Sequence, residues 1–299
     1  MTVALRIDAL TGIASLQDTG RVGHEHLGIP TGGFWHTTRA HLANALACNP
    51  NGAPAIELLA GALTVTNIAD EGTVLAVTGP ATCHLTHPGS KTMFNHPTYH
   101  AMHLPPGSSA TITHTGAGPV YLAAHGLTGR QILGSVGACA FTGITPNPLS
   151  ARTELGVREH QPVAAFASTA VTRADTQPPT TLPYTPHTAA ALTLEVQVAR
   201  TGRTGAHLHT TTPHEGIRAA ARDLPSHPVH PGLFQITPAG ILALGVDAGT
   251  TGGYPTLGVI HTHALNALSL LTPESTVLLT PDLAARTPQP APHIIRLAR

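Results

Sequence analysis

Residues 247–260 read DAGTTGGYPTLGVI, a glycine-rich turn placed between apolar strand patterns. Glycines such as Gly252 and Gly253 let a backbone turn at positive φ or come close to a ligand. The hydroxyls of Thr250 and Thr251 lie beside bare backbone amides, which is an arrangement that can bind an anion or an amide. The same pattern is also typical of a β-turn that binds nothing, so both interpretations remain open on this motif alone.

Outward from this turn, most of the chain has strand patterns. They are short, β-branched or alternating, and bounded by Gly/Pro turns, and they begin at Leu63, Thr73, Ala110, Pro119, Leu192 and Thr276. Helical periodicity is present at three places only, residues 37–47, 215–224 and 263–271. The sequence therefore predicts a mainly β fold, with β-barrels and a few peripheral helices.

One segment between the strand patterns predicts a linker. Residues 172–190, TRADTQPPTTLPYTPHTAA, are polar and proline-rich and have no periodicity. We therefore expect an N-terminal β-barrel lobe over residues 1–171 and a C-terminal β lobe over residues 191–299, which carries the TTGGYP turn.

Charge and cysteine content exclude several functions. Fifteen basic and fifteen acidic residues cancel, and charged residues make up 10% of the chain, so we expect neither a nucleic acid nor a membrane as partner. The three cysteines have no metal-finger or CxxC spacing, which indicates a reducing compartment. No stretch has the composition of a signal peptide or a membrane span, and a cytoplasmic protein is expected.

Lysine chemistry is almost absent, because Lys91 is the only lysine. The sequence contains no GxxxxGK[ST] phosphate loop and no biotin attachment site. If ATP or carboxylated biotin is used, another chain or a site without lysine must bind it.

Histidine pairs two residues apart suggest a second interpretation. They are His24 and His26, His207 and His209, and His261 and His263. On a strand such pairs point to one face and can bind a metal, as in a metal-dependent barrel enzyme. No third ligand follows any pair at a fixed spacing, so scattered surface histidines are the alternative and we predict no metal site.

A second stretch of sequence, residues 17–33, changes the interpretation of the glycine-rich turn at residues 247–260. Residues 17–33 read QDTGRVGHEHLGIPTGG, and HLANALACN, AIELLAG, TGP, ILGS and LFQITPAG follow in order. Together with TTGGYP, these segments resemble the KipA family, also called allophanate hydrolase subunit 2 or the PxpC component of 5-oxoprolinase. That family is similar to part of the carboxyltransferase domain of urea carboxylase. The resemblance covers most of the chain and implies cyclophilin-like β-barrel lobes.

The function that the resemblance implies is a subunit of an ATP-dependent amidohydrolase that opens 5-oxoproline, a lactam, to glutamate. Its partners would be a KipI-like (PxpB) subunit and a LamB/YcsF-like (PxpA) subunit, with ATP used by the assembled complex. A rival interpretation is a non-enzymatic regulator that binds a KipI-like inhibitor of a kinase, and the sequence does not separate the two.

The candidate site residues come from the matching motifs. Asp247 is the candidate acid or base, although an aspartate at a strand end also caps turns, and Arg203 is expected to bind the substrate carboxylate. The other expected substrate-binding residues are Gln17, Asp18, Arg21, Gly32, Gly33, Glu215, Thr250, Thr251, Gly252, Gly253 and Tyr254. Asp18 and Arg21 could equally form a structural ion pair. We also predict that the QDTGRVG and TTGGYP turns converge on one cleft.

Four positions depart from the family pattern. His36 stands where an aspartate is usual, Val136 and His207 where arginines are usual, and Thr256 where a lysine often follows TTGGYP. These losses imply either that the charges are supplied differently or that this member acts mainly as a binding subunit.

Overall fold

The structure is a computed structural model that describes residues 2–90, 92–139, 145–158, 178–187, 192–212, 214–220 and 223–282. The chain divides into two compact units, Met1–Gln177 and Pro178–Arg299. Among the described residues, no helix is long and apolar enough to cross a membrane.

The first unit is built on one nine-stranded sheet, in the order β5-β4-β7-β2-β8-β3-β6, with β1 pairing both β2 and β9. Its strands are β1 (Thr2–Gln17), β2 (Ala55–Asn67), β3 (Thr73–Thr78), β4 (Ala81–Thr86), β5 (Met93–His96), β6 (Ala101–Leu104), β7 (Ser109–His114), β8 (Val120–Ala124) and β9 (Glu154–Val157).

The long strands β1 and β2 bend together at Gly12 and Gly61, where φ is 88° and 84°. A Cβ atom would lie 2.1 Å from the Ala60 carbonyl oxygen at Gly12, and 2.0 Å from the Thr11 carbonyl oxygen at Gly61. Only glycine fits both the space and the conformation. The bend lets β2 pair with β8 on one side of Gly61 and with β7 on the other, which curls the sheet around its apolar core.

The second unit is a closed barrel, in the order β10-β17-β14-β15-β12-β11-β18, with a separate two-stranded sheet of β13 and β16. Its strands are β10 (Thr181–Pro186), β11 (Leu194–Gly202), β12 (Gly205–Thr210), β13 (His227–Pro228), β14 (Leu233–Thr237), β15 (Gly240–Leu244), β16 (Thr251–Gly252), β17 (Thr256–Ile260) and β18 (Thr276–Pro281). The predicted mainly β class with cyclophilin-like barrel lobes is confirmed.

The helices lie where the periodicity predicts them: α1 is Thr37–Leu46, α2 is Glu215–Ala220 and α3 is Leu265–Leu268, after a 3-10 turn at Thr262–Ala264. Helix α1 packs through small side chains, Ala40 and Ala43 among them, against Tyr121 of β8.

The predicted linker over residues 172–190 is wrong at residues 181–186, which form strand β10 of the barrel. Leu182 and Tyr184 are both fully buried, and their period of two is hidden between prolines in the sequence. The parts of the predicted linker at residues 172–177 and 188–190 lie outside the described residues.

Candidate functional site

Asp18 holds the turn that follows β1. Its carboxylate is buried, and Oδ1 accepts hydrogen bonds from the Gly20 N–H at 2.9 Å and the Ser135 hydroxyl at 2.5 Å. Its Oδ2 accepts the N–H of Val136 at 2.9 Å. The bond to Gly20 closes an aspartate turn, and the other two connect this turn to the loop over residues 131–137. Asp18 therefore joins two loops that lie far apart in the sequence.

Arg21 is a buried cation beside this junction, 2% exposed. Its Nη2 donates to the Gly137 carbonyl oxygen, whereas Nε and Nη1 are buried and have no hydrogen-bond partner. The predicted alternative of an Asp18–Arg21 ion pair is wrong, because Asp18 binds Ser135 and backbone amides instead. A guanidinium has five N–H donors, so several of those on Arg21 are unfilled.

Gln17 has a similar unfilled group. Its Nε2 donates to the Ser15 hydroxyl at 3.0 Å and to the Ala138 carbonyl oxygen at 2.8 Å, while its buried Oε1 has no partner. A Cβ atom added to Gly137 would lie 2.9 Å from that Oε1. Gln17 thus has one unpaired polar atom and Arg21 has two, and both side chains adjoin Gly137.

Gly32 and Gly33 support the same turn from behind. Both have positive φ, 65° and 85°, and a Cβ at Gly33 would lie 2.8 Å from the Gly20 nitrogen. The adjacent Phe34 N–H donates to the Asp18 carbonyl oxygen at 2.9 Å. Gly33 therefore allows close backbone packing behind the Asp18 turn.

A cleft of about 620 Å³ borders the two joined loops. Its lining comes from the turn after β1, the loop after α1 and the loop after β8, together with Arg158: Asp18, Thr19, Asn49, Pro50, Gly52, Ala53, Pro54, Gly126, Leu127, Thr128, Gly129, Gln131, Gly134, Val136 and Arg158. The lining is rich in glycine backbone and neutral amides, with an exposed guanidinium from Arg158. Such a surface suits a small polar ligand.

In the second unit, Asp247 and Arg203 bind each other. Arg203 Nε lies 2.7 Å from Asp247 Oδ2, and Nη2 lies 2.8 Å from Oδ1, a two-point ion pair with side chains 11% and 7% exposed. The Asp247 N–H also donates to the Arg203 carbonyl oxygen at 3.0 Å. The sequence assigned separate roles to these residues, whereas the structure makes them one unit that fastens the β11–β12 turn to the loop after β15.

The TTGGYP turn is packed against the chain itself. Strand β16 pairs with β13, and a Cβ at Gly252 would lie 2.4 Å from Nε2 of Gln235. A Cβ at Gly253 would lie 3.0 Å from the Leu224 carbonyl oxygen. Neither glycine is in the left-handed region, so close approach, and not positive φ, explains both of them.

The side chains of this turn differ in exposure: Thr251 is exposed, and Thr250 and Tyr254 are half-buried. Because the turn belongs to the second unit and Asp18 to the first, their convergence on one cleft stays a prediction.

Glu215 is exposed at the start of α2. The described residues contain no group of three or more histidine, cysteine, aspartate or glutamate side chains that could hold a metal. His207 lies with Nε2 2.8 Å from Nη2 of Arg200, an arrangement in which the imidazole accepts. Burial, Arg200 and His209 lower the pKa of His207, which agrees with a neutral ring there.

The departure at His36 has a structural explanation. His36 is the N-cap of α1, and its Nδ1 accepts the Arg39 N–H at 3.3 Å. Burial, and secondarily the charge of Arg39, lowers the pKa of His36 from 6.5 to about 3. A neutral imidazole therefore accepts the bond that an aspartate would accept at this helix start. At a second departure, the Thr256 hydroxyl lies 2.9 Å from Nδ1 of His187.

Sequence reasoning missed the buried network around Glu57. The Tyr121 hydroxyl donates to Glu57 Oε2 at 2.5 Å, the Trp35 N–H donates to the same oxygen at 3.1 Å, and the His36 N–H donates to the Tyr121 hydroxyl at 2.8 Å. A carboxylate inside the apolar run AIELLAG was the available signal, because a charge in a buried strand needs partners. Ser135 was also missed, although it lies within the quoted ILGS motif.

Residues 27–281 match the model of the carboxyltransferase domain family, subdomains A and B. The match spans most of the chain, and the chain belongs to this family. No curated protein is significantly similar to it in sequence.

Solved structures agree with the fold. TTHA0988 superimposes with a TM-score of 0.78 at 26% identity, over 94% of this chain and 55% of that one. The Kluyveromyces lactis urea carboxylase and the K. lactis urea amidolyase each give a TM-score of 0.76 at 18% identity, over 93% of this chain and 27% and 19% of theirs. The chain thus spans about half the length of TTHA0988 and a smaller part of the two yeast proteins.

Proposed function

We propose that the chain is the carboxyltransferase-like subunit, of the KipA/PxpC type, of an ATP-dependent amidohydrolase that opens 5-oxoproline to glutamate. The chain would work with a KipI-like and a LamB/YcsF-like subunit, and ATP would be bound by the assembled complex. Membership of the carboxyltransferase domain family and the motif series from QDTGRVG to TTGGYP support this assignment.

The observation that carries the proposal is the cleft of about 620 Å³ beside Asp18. Family motifs meet at its edge, since the QDTGR turn and the ILGSVG loop are joined there by the Asp18 hydrogen bonds. Its volume lies within the range of small-molecule sites, about 300 to 1,000 Å³, and it is large enough for a five-membered lactam.

The chemistry requires activation, because an unstrained lactam is a poor electrophile. A phosphoryl group or a positive charge on the lactam oxygen makes the carbonyl carbon easier to attack, and fixed amide donors stabilise the charge that develops. The turn at Thr250 and Thr251, in the second unit, is the candidate for such donors, and its convergence with the cleft of the first unit stays a prediction. Asp247 remains the candidate acid or base, and Arg203, which contacts both its oxygens, would orient it.

The proposal is tested by reconstitution. The purified chain alone should neither hydrolyse ATP nor open 5-oxoproline, and both activities should appear together only when the two partner subunits are added. The rate of 5-oxoproline opening by the full complex is compared for two variants. They are Glu215→Gln, at an exposed position of α2, and Asp247→Asn, which keeps the shape of the side chain. Turnover by the chain alone, or coupled turnover of urea or allophanate but not 5-oxoproline, would contradict the assignment. Binding to the KipI-like subunit without any turnover would favour a regulatory role.

A further inference from the structure

Arg21 is a buried charge without a compensating partner. Its side chain makes one hydrogen bond, to a backbone carbonyl oxygen, and its Nε and Nη1 reach neither protein acceptors nor solvent. Taking a cation out of water is costly unless an opposite charge or several hydrogen bonds replace the lost hydration. The free protein therefore keeps Arg21 in an unfavourable environment.

The nearest carboxylate in the sequence does not relieve this charge. Asp18 directs both of its oxygens to Ser135, Gly20 and Val136, and within the described residues no ion pair involves Arg21. Arg39 is the informative contrast: it is equally buried and its Nε also has no hydrogen-bond partner, yet its Nη1 donates to the carbonyl oxygens of Ala117 and Pro119. Burial alone does not leave an arginine of this chain without acceptors.

Gln17 adds an unfilled acceptor next to these donors. Its Oε1 is buried without a partner and lies beside Gly137, whose carbonyl oxygen binds Arg21. Unpaired donors on a cation and an unpaired neutral acceptor, gathered around one glycine, match a ligand that carries both an anionic group and an N–H. A carboxylate alone would fill only the arginine.

We infer that Arg21 and Gln17 form the recognition subsite for a small carboxylate that bears an adjacent amide N–H, with Arg21 binding the carboxylate and Gln17 Oε1 accepting from the N–H. Naming this ligand as 5-oxoproline rests on the proposed function, whereas the requirement for an anion rests on Arg21 alone. The inference also moves carboxylate binding away from Arg203, whose guanidinium is engaged by Asp247.

We place the approach of the ligand at the cleft, although neither Arg21 nor Gln17 lines it directly. Asp18, Thr19, Gly134 and Val136 line it, and Gly137 follows directly after Val136. Because the guanidinium is closed to solvent, the ligand reaches it only if the loop over residues 131–137 shifts, which couples binding to a local change in structure.

The test uses the purified chain and three ligands of matched shape. The ligands are 5-oxoproline, its lactone analogue in which oxygen replaces the N–H, and 2-pyrrolidinone, which keeps the lactam and lacks the carboxylate. Trp35 is the only tryptophan and lies in the first unit, so its fluorescence during heating reports the melting temperature of that unit. At a hundredfold excess over the dissociation constant, 5-oxoproline should raise this temperature by about 5 °C or more.

The relative affinities of the three ligands distinguish the role of Arg21 from that of Gln17. The lactone should bind about tenfold more weakly than 5-oxoproline, which is the loss of one good hydrogen bond, and 2-pyrrolidinone should give no shift at the same concentration. Arg21→Met should abolish the shift by both carboxylates, and Arg21→Lys should restore part of it. Gln17→Met should make 5-oxoproline and the lactone bind equally. Arg39→Met is the matched control, which should lower the melting temperature and keep the ligand-induced rise.

Two results would overturn the inference: no rise with either carboxylate on the unaltered chain, or an equal rise in Arg21→Met. An equal affinity for 5-oxoproline and the lactone on the unaltered chain would remove the role of Gln17. If Arg21→Met does not fold, the ligand series and Gln17→Met still decide the question. A reconstituted complex that fails to open 5-oxoproline would remove the proposed function and leave the carboxylate-binding result in place.

Discussion

Each unit places an aspartate after a strand and an arginine near it, but the two pairs are used differently. In the second unit, Asp247 and Arg203 form a two-point ion pair and satisfy each other. In the first, Asp18 binds a hydroxyl and backbone amides, and Arg21 is left with unfilled donors. The same two residue types therefore form an ion pair in the second unit, whereas in the first unit the arginine is buried without a carboxylate partner.

The difference indicates which of the two is free to bind. A paired arginine can release its carboxylate only at the cost of leaving a buried charge, so Arg203 is suited to hold two loops together. An unpaired buried arginine has already lost its hydration without a compensating charge. Binding an anion therefore stabilises it. We therefore assign Arg203 to the framework and Arg21 to recognition, and the predictions for Asp247, Asp18 and Arg21 test this contrast.

The largest effect is expected from breaking the Asp247–Arg203 ion pair. Asp247→Ala leaves the Arg203 side chain, 11% exposed, without its carboxylate and should lower the stability of the second unit by about 3 kcal/mol. The double variant Arg203→Met with Asp247→Leu should recover most of this loss, because apolar residues of similar size replace the pair. Denaturant unfolding followed by circular dichroism measures both. A double variant as unstable as Asp247→Ala would show that the pair is not the cause.

Removing Asp18 should have an effect of similar size. Asp18→Ala leaves the Ser135 hydroxyl and the Gly20 and Val136 amides without their acceptor, a loss of about 3 kcal/mol if each contributes a typical amount. Unfolding followed by Trp35 fluorescence reports it. Asp18→Asn keeps one carbonyl acceptor and should lose about half as much. A loss below about 1 kcal/mol for Asp18→Ala would mean that the two loops are held by other contacts.

The sequence predicted the fold better than the site, for physical reasons that particular elements illustrate. Alternation and Gly/Pro turns are local, so strands such as Thr73–Thr78 and Thr276–Pro281 and the helix at Thr37–Leu46 could be placed. Strand β10 could not, because prolines interrupt its alternation of Leu182 and Tyr184. The proline-rich composition predicted a linker at this segment, because composition does not reveal which two side chains face a core.

The site motifs were located, but the partners of their residues were not predictable. Asp247 and Arg203 lie 44 residues apart and meet only through the barrel register, and Asp18 finds Ser135 across 117 residues. Such pairings depend on tertiary contacts that no spacing rule contains. The glycines of TTGGYP were recognised as meaningful, yet the groups that approach them are Gln235 and Leu224 of the chain itself.

Acidification should affect the first unit through His36. Its pKa is lowered from 6.5 to about 3 by burial, so between these values the unfolded chain binds a proton that the folded chain does not. The contribution of His36 to the free energy of unfolding is therefore fully present above about pH 6.5. It is lost progressively as the pH drops below this value, by about 2 kcal/mol at pH 5. His36→Asn keeps an N-cap acceptor and removes the titration, so its Trp35 unfolding curve should depend less on pH. Parallel pH profiles for the two proteins would contradict the assignment to His36.

The smallest change in the free energy of unfolding is expected for Arg21→Met. The direction of that change is the most informative result. If Arg21 were a structural arginine like Arg203, removing it should cost several kcal/mol, as the loss of one partner from a buried pair does. An uncompensated cation behaves differently, because its single bond to the Gly137 carbonyl oxygen is offset by the penalty of burying the charge. We expect a change within about 1 kcal/mol in the absence of ligand, directed towards greater stability. Trp35-monitored denaturation with Arg39→Met alongside makes the comparison within one unit, since Arg39 has two carbonyl acceptors and its loss should be plainly destabilising. Equal, large losses for both variants would place Arg21 in the framework with Arg203 and remove the distinction between the two units.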